Sequence, residues 1–284
     1  MAPYIGRRMR RVEDERLITG RGRFAGDVKL DGAAHIAFCR STLPHARIRT
    51  IDVSAARDLP GVLAVWTADD LPKTAESLSG WGPRDMEYRP RGFLARDEVR
   101  YVGEAYALVV AETAYQAQDA AEQVVADLDP LPGAGTATAA VESDDAKVHA
   151  DMKDNIAWRH TLGYGDIGAA FAPDTVSAKI HLTTSRVAGA AMEPRAVSAA
   201  PDGDGLEVWT STQSVFGVRE EIAKAAGLEE SQVRVLAEDV GGGFGAKGMA
   251  FPEEVLTALV AKQLNRPAQW ISPHQSPCRN LQTV

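Results

Sequence analysis

The chain has 284 residues, 45% hydrophobic and 25% charged, with a formal net charge of −8. That is globular composition with length enough for two domains, and it excludes disordered and collagen-like classes. The acidic balance argues against nucleic acid as the main partner, and no apolar run reaches the roughly 18 residues a membrane helix needs.

Arg7, Arg8, Arg10 and Arg11 make a basic start, but Glu13, Asp14 and Glu15 follow at once, so the segment reads as a solvated arm or subunit contact. No apolar stretch follows Arg7-Arg8 as an export signal would require, and a cytoplasmic location is expected. Residues 33 to 41 and 61 to 67 read as short strands, with Leu59-Pro60-Gly61 as a turn. Ala105 to Ala111 is almost wholly apolar, as expected of a strand buried on both faces. Thr113 to Gln116 matches a capping box. Ala117, Ala120, Ala121, Val124 and Val125 follow at helical spacing, and Asp129-Pro130-Leu131-Pro132-Gly133 is expected to stop that helix.

Leu131 to Lys147 shifts to Gly, Ala, Thr, Ser and Asp and reads as a linker. Beyond it, Val176 to Leu182 and Leu206 to Thr210 read as strands, with residues 201 to 205 turning before the second. Val215, Val218, Ile222 and Ala225 share a helical face that Gly227 should terminate. Residues 232 to 238 alternate as a strand. Pro252 with Glu253 and Glu254 starts a helix through Leu256, Leu259, Val260 and Leu264, which Asn265-Arg266-Pro267 ends. Cys39 and Cys278 form no CxxC pair, and the six histidines, His274 among them, have no ligand spacing. This chain alone should hold neither an iron–sulfur cluster nor structural zinc.

The most informative stretch is Asp239-Val240-Gly241-Gly242-Gly243-Phe244-Gly245-Ala246-Lys247, between a strand and a helix. Glycines there admit backbone close to an anionic ligand that any Cβ would hold away. A P-loop fails, because Ala246 stands where its last glycine belongs and no hydroxyl follows Lys247. Gly243 to Gly248 spells a dinucleotide fingerprint, but the acidic residue expected after the next strand is missing. A tight strand-to-helix turn with close packing is the remaining alternative.

The surrounding motifs separate these readings. Arg11-Val12-Glu13-Asp14, Leu17 to Phe24, Arg40 to Ile48 and Val99 to Glu104 resemble the first part of molybdenum hydroxylase large subunits. That is the family of xanthine dehydrogenase, aldehyde oxidase and aerobic carbon monoxide dehydrogenase. Met192-Glu193-Pro194-Arg195, Trp209-Thr210-Ser211-Thr212-Gln213 and Val240 to Lys247 resemble it in the same order.

The resemblance implies an α+β chain. An N-terminal arm and α/β hammerhead domain would occupy 1–130, a linker 131–150, and the first part of a mixed α/β molybdopterin-binding domain 151–284. The implied cofactor is molybdenum–molybdopterin, its cytosine dinucleotide form being one alternative, with iron–sulfur and FAD subunits as partners. Gln213 matches the glutamine whose amide faces an oxo group on the metal; a neutral donor stabilises developing negative charge there. Gly242, Gly243, Phe244 and Gly245 match the segment lying against the cofactor, and the Phe244 ring would shape the substrate pocket, a core phenylalanine being the alternative. Glu193 and Arg195 are expected to be structural, Lys247 to be a surface or interface cation, and Arg40 and His45 to pack against neighbouring chains.

Relatives continue well past Trp270-Ile271-Ser272, into the region that carries the general base. No residue here matches that base, which implies a split large subunit completed by a partner chain, or a truncated product. Such a chain should be stable only in a hetero-oligomer or dimer. Gly248 after the lysine disfavours purines and leaves aldehydes, N-heterocycles or carbon monoxide. The rival class is a non-catalytic assembly module, and a dinucleotide-dependent dehydrogenase comes third.

Overall fold

The computed structural model describes residues 4–80, 82–184, 187 and 189–273. Cys278 and His274 lie outside them. Among the described residues ten strands run as β1 (Ala34–Arg40), β2 (Ala46–Asp52), β3 (Val62–Thr67), β4 (Glu98–Val99), β5 (Ala105–Ala111), β6 (Val125–Pro130), β7 (Ala196–Asp202), β8 (Gly205–Thr210), β9 (Val233–Leu236) and β10 (Ala268–Ile271). Seven α-helices accompany them: α1 (Asp14–Ile18), α2 (Ser54–Arg57), α3 (Ala114–Ala121), α4 (Ala137–Glu142), α5 (Ile167–Ala170), α6 (Val215–Ala226) and α7 (Pro252–Leu264). None among the described residues is long and apolar enough to cross a membrane.

Seven strands form one mixed sheet in the order β3-β5-β1-β10-β7-β8-β9, and β4-β2-β6 form a second. The large sheet unites the two halves of the sequence. Its seam is short: Ala34 and His35 of β1 pair in parallel with Ala268 and Gln269 of β10. Period-two alternation explains how the sheet is covered. On β5, Leu108 and Val110 face the cluster containing Ile222, Leu256 and Leu259 of α6 and α7, while Ala107, Val109 and Ala111 face clusters that hold Ala117 and Ala120 of α3. Each fully buried aliphatic side chain contributes roughly 1.5–3 kcal/mol. Cys39, on the α3 side, is buried, and desolvation pushes its thiol up to about 12, so it is an inert packing residue.

Helix ends follow the chemistry expected of them. Thr113 accepts from Gln116 N at the start of α3, Gly227 closes α6 at φ 62°, and Asn265 closes α7 at φ 46°. Two expectations fail. The α3 helix ends at Ala121 and Val125–Pro130 is β6, paired along β2, because alternation toward the second sheet overrides helical spacing. Residues Val176 to Leu182 form no strand. Their apolar side chains lie open, with Val176, Ile180 and Leu182 among the exposed large hydrophobics. The sequence reading also missed β2 and β7.

Buried charge joins the halves. Glu253, 5% exposed at the start of α7, accepts from Arg40 Nη2 of β1 at 2.7 Å and from Arg195 Nη1 at 3.1 Å. Arg40 therefore packs within the chain, contrary to its expected role toward neighbours. His45 does likewise, with Nδ1 2.8 Å from Pro132 O.

Among the described residues no base pairs with the adjacent Glu254. Burial pushes its carboxyl up to about 7, against the opposing hydrogen bonds from Thr210 and from Phe251 N. Thr210 Oγ1 lies 2.5 Å from Glu254 Oε1 and 3.2 Å from Ala196 O. The hydroxyl donates to Glu254 Oε1, and Ala196 O is served by Ser211 N at 3.0 Å. A carboxyl raised on folding stabilises fully below its unfolded value of 4.5, and that contribution is lost as pH rises through about 7. Glu254→Gln should flatten the fall in melting temperature between pH 5 and pH 7.5, and an unchanged slope would contradict a neutral Glu254.

Candidate functional site

The site forms where β8 ends and where the loop between β9 and α7 returns to it. Ser211 and Thr212 are buried. Ser211 Oγ accepts from Ala196 N at 2.9 Å, tying this segment to β7. Thr212 Oγ1 donates to Lys247 O at 3.3 Å and accepts from Ser214 N at 3.0 Å, opening α6. Between them, Gln213 N donates to Lys247 O at 2.8 Å. The Gln213 side chain is exposed, and its Oε1 accepts from Gly245 N at 3.1 Å. Because that bond commits the oxygen, the Nε2 hydrogens are left to point away as donors.

The glycines of the loop do different work. A Cβ on Gly241 would sit 2.5 Å from Glu193 Cβ, and one on Gly243 would sit 2.3 Å from Gln213 Cδ. These two are required by packing within the chain. Gly242 and Gly245 adopt φ 104° and 80°, which L side chains avoid. Gly245 alone faces open space, with nothing within 4 Å of a Cβ. Packing thus accounts for Gly241 and Gly243, while the backbone of Gly245 is left open to approach.

Phe244 adopts φ 51° and is 75% exposed. It is not a core phenylalanine. A bulky residue held left-handed costs on the order of 1–3 kcal/mol, and such strain gathers at functional sites. Among the described residues no protein acceptor takes the N–H of Gly242, Gly243 or Phe244. Three successive uncommitted donors beside the Gln213 amide make a lining for an electron-rich ligand. The structure therefore brings Gln213, Gly242, Gly243, Phe244 and Gly245 together. Among the described residues no cluster of histidine, cysteine, aspartate or glutamate could hold a metal.

Lys247 is not the expected surface cation. It is 3% exposed and pairs with Glu193 at 2.8 Å. Arg195 is structural as expected, stacking 4.1 Å over the Phe251 ring while bound to Glu253. Asp239 was missed as a candidate. Arg16 grips both its oxygens and Arg23 N donates to it at 2.7 Å, so the N-terminal arm anchors the loop's entry. Arg16 first, then Arg23 N–H, hold its carboxyl below the usual range. Its position just before the glycines was the available signal. A crevice of about 600 Å³ lies elsewhere, lined by Asp27, Lys29, His35, Glu112 and Arg266 among others, with none of the loop residues.

The molybdopterin cofactor-binding domain family matches residues 148–277, and the α/β hammerhead domain of aldehyde oxidase and xanthine dehydrogenase matches residues 19–132. This chain belongs to the molybdenum hydroxylase large-subunit family. The nicotine 6-hydroxylase large subunit of Paenarthrobacter nicotinovorans is 38% identical over 272 residues, covering 94% of this chain and 33% of that protein. The carbon monoxide dehydrogenase large chain of Afipia carboxidovorans is 33% identical over 302 residues, covering 99% and 36%. Among solved structures, quinoline 2-oxidoreductase from Pseudomonas putida 86 superposes with a TM-score of 0.88 at 34% identity, covering 94% of this chain and 34% of that one. The chain thus spans about a third of the length of these molybdenum hydroxylase relatives.

Proposed function

We propose that the chain is the part of a molybdenum hydroxylase that lines its molybdopterin cofactor with Gln213 and the 242–245 backbone. The observation that carries this reading is the Gln213 amide, oriented by Gly245 N–H beside three uncommitted backbone donors. When bound, the cofactor supplies two-electron oxidation with oxygen drawn from water; the possible substrates are an aldehyde, an N-heterocycle or carbon monoxide.

The residues present fit that group. Preorganised neutral donors in fixed positions stabilise negative charge without a proton of their own to lose. Gln213 is held at its backbone N–H by Lys247 O and at its side-chain oxygen by Gly245 N. Phe244, held out by its left-handed backbone, can exclude water and stack on a flat substrate. The division into a hammerhead domain over 1–130, a linker over 131–150 and a cofactor domain from 151 is part of the same reading.

An iron–sulfur subunit and an FAD subunit complete the proposed assembly. Apolar exposure supports the need for cover: Leu162, Tyr164, Phe171, Ile180 and Leu182 are each more than two-thirds exposed along one irregular stretch. Metal analysis and pterin absorbance of the complex purified from its native cells test the proposal. Stoichiometric molybdenum and pterin, with oxidation of one of the three substrate classes, are expected. An intact complex with neither would favour the non-catalytic assembly module.

A further inference from the structure

The geometry points to Glu193 as a positioning residue, whose carboxylate staples both ends of the glycine loop and through Lys247 sets the Gln213 amide. One oxygen, Oε2, accepts from Gly241 N at 2.7 Å and from Lys247 Nζ at 2.8 Å. The main chain repeats the first link, Glu193 N donating to Gly241 O at 3.2 Å. At the loop's far end the Lys247 carbonyl accepts from Gln213 N at 2.8 Å and from Thr212 Oγ1 at 3.3 Å. The side chain of Lys247 is therefore held by Glu193 while its backbone holds Gln213.

Burial makes the link strong. The two side chains are 9% and 3% exposed, so this charge-assisted pair is little screened. Packing leaves little slack, since even a Cβ on Gly241 would overlap Glu193. Between the clamped ends run Gly242 to Gly245, with left-handed backbone at Gly242, Phe244 and Gly245, held among the described residues by Gln213 Oε1 and by the local turn bonds from Ala246 N to Gly243 O and from Gly248 N to Gly245 O. Loss of the carboxylate frees both ends together. A mispositioned donor of this kind costs far more in rate than in binding.

The inference rests on the proposed function, and its test separates the two. The native complex is prepared with Glu193→Gln, Lys247→Met and the double substitution. Molybdenum content, kcat, KM and hydrogen exchange of the 239–250 segment are measured on each. Each single variant should raise exchange of that segment at least fivefold and lower kcat roughly 10- to 100-fold with KM changed less than about threefold, molybdenum being retained. The double variant, which leaves no buried charge unpaired, should regain melting temperature relative to the single variants while exchange of the segment stays at least fivefold above wild type, because the link itself is gone. Wild-type exchange and kcat in Glu193→Gln would overturn the staple, as would loosening spread evenly over the chain with a normal kcat. Absence of molybdenum from the wild-type complex would overturn the cofactor reading instead, and the exchange data would still judge the staple.

Discussion

Gln213→Ala lowers kcat of the cofactor-loaded complex by about 100- to 1000-fold, the cost of deleting one preorganised donor at a site of developing charge. KM and molybdenum content stay near wild-type values, because among the described residues the amide hydrogen-bonds only Gly245 N–H and its removal breaks no core packing. Gln213→Glu keeps the acceptor for Gly245 but replaces the outward donor with an anion. It is expected to be at least as damaging, although its shape is conserved. Steady-state kinetics with each variant, normalised to molybdenum, check this. A loss confined to KM would mean that Gln213 binds substrate rather than acting on the reacting centre.

The second large effect concerns stability. Glu253→Ala removes the one carboxylate between two buried guanidiniums, Arg40 and Arg195 at 19% and 13% exposure, and leaves like charges facing each other. Breaking a buried network from one side costs about 3–5 kcal/mol. In a domain of this size that is a fall in melting temperature on the order of 10 °C. The loss should be selective. Arg40 lies on β1 and Glu253 on α7, so hydrogen exchange at the β1–β10 seam should rise first. Burial alone would raise the Glu253 carboxyl, but Arg195 and Arg40 outweigh it and hold it well below the usual carboxylate range. The sign follows: its stabilisation is present above its unfolded value of 4.5 and is lost as pH falls below it. Wild-type protein should therefore lose stability on acidification below that value, and the variant should lose less. An equal acid response in both would contradict the network.

How far the sequence could be read divides along physical lines. Local signals worked where they were self-contained: the Thr113 cap, Gly227 and Asn265 as left-handed ends, and Pro252 at the start of α7. A continuous apolar run also located β5, whose two faces are both buried. Failures arose where distant partners decided the outcome. Val124 and Val125 fit a helix face equally well, and only pairing with β2 makes Val125–Pro130 a strand. Val176 to Leu182 has the composition of a strand, but among the described residues it finds no partner to pair with. Glu253 and Lys247 read as first-turn acid and surface cation, since no spacing announces that Arg40 or Glu193 will meet them.

At the site, the glycine motif and Gln213 were visible because their ordered neighbours resemble one family. Which glycine serves packing and which serves approach was not visible. Gly243 is needed by the Gln213 side chain and Gly245 by its left-handed backbone, and only coordinates tell these apart.

Anomalous scattering at the molybdenum edge from crystals of the native complex tests the central claim most directly. The account predicts the metal in the space bounded by Gln213 Nε2 and the backbone of Gly242 to Gly245, with Phe244 beside it. Molybdenum located away from those atoms, or against the crevice around His35 and Arg266, would contradict it.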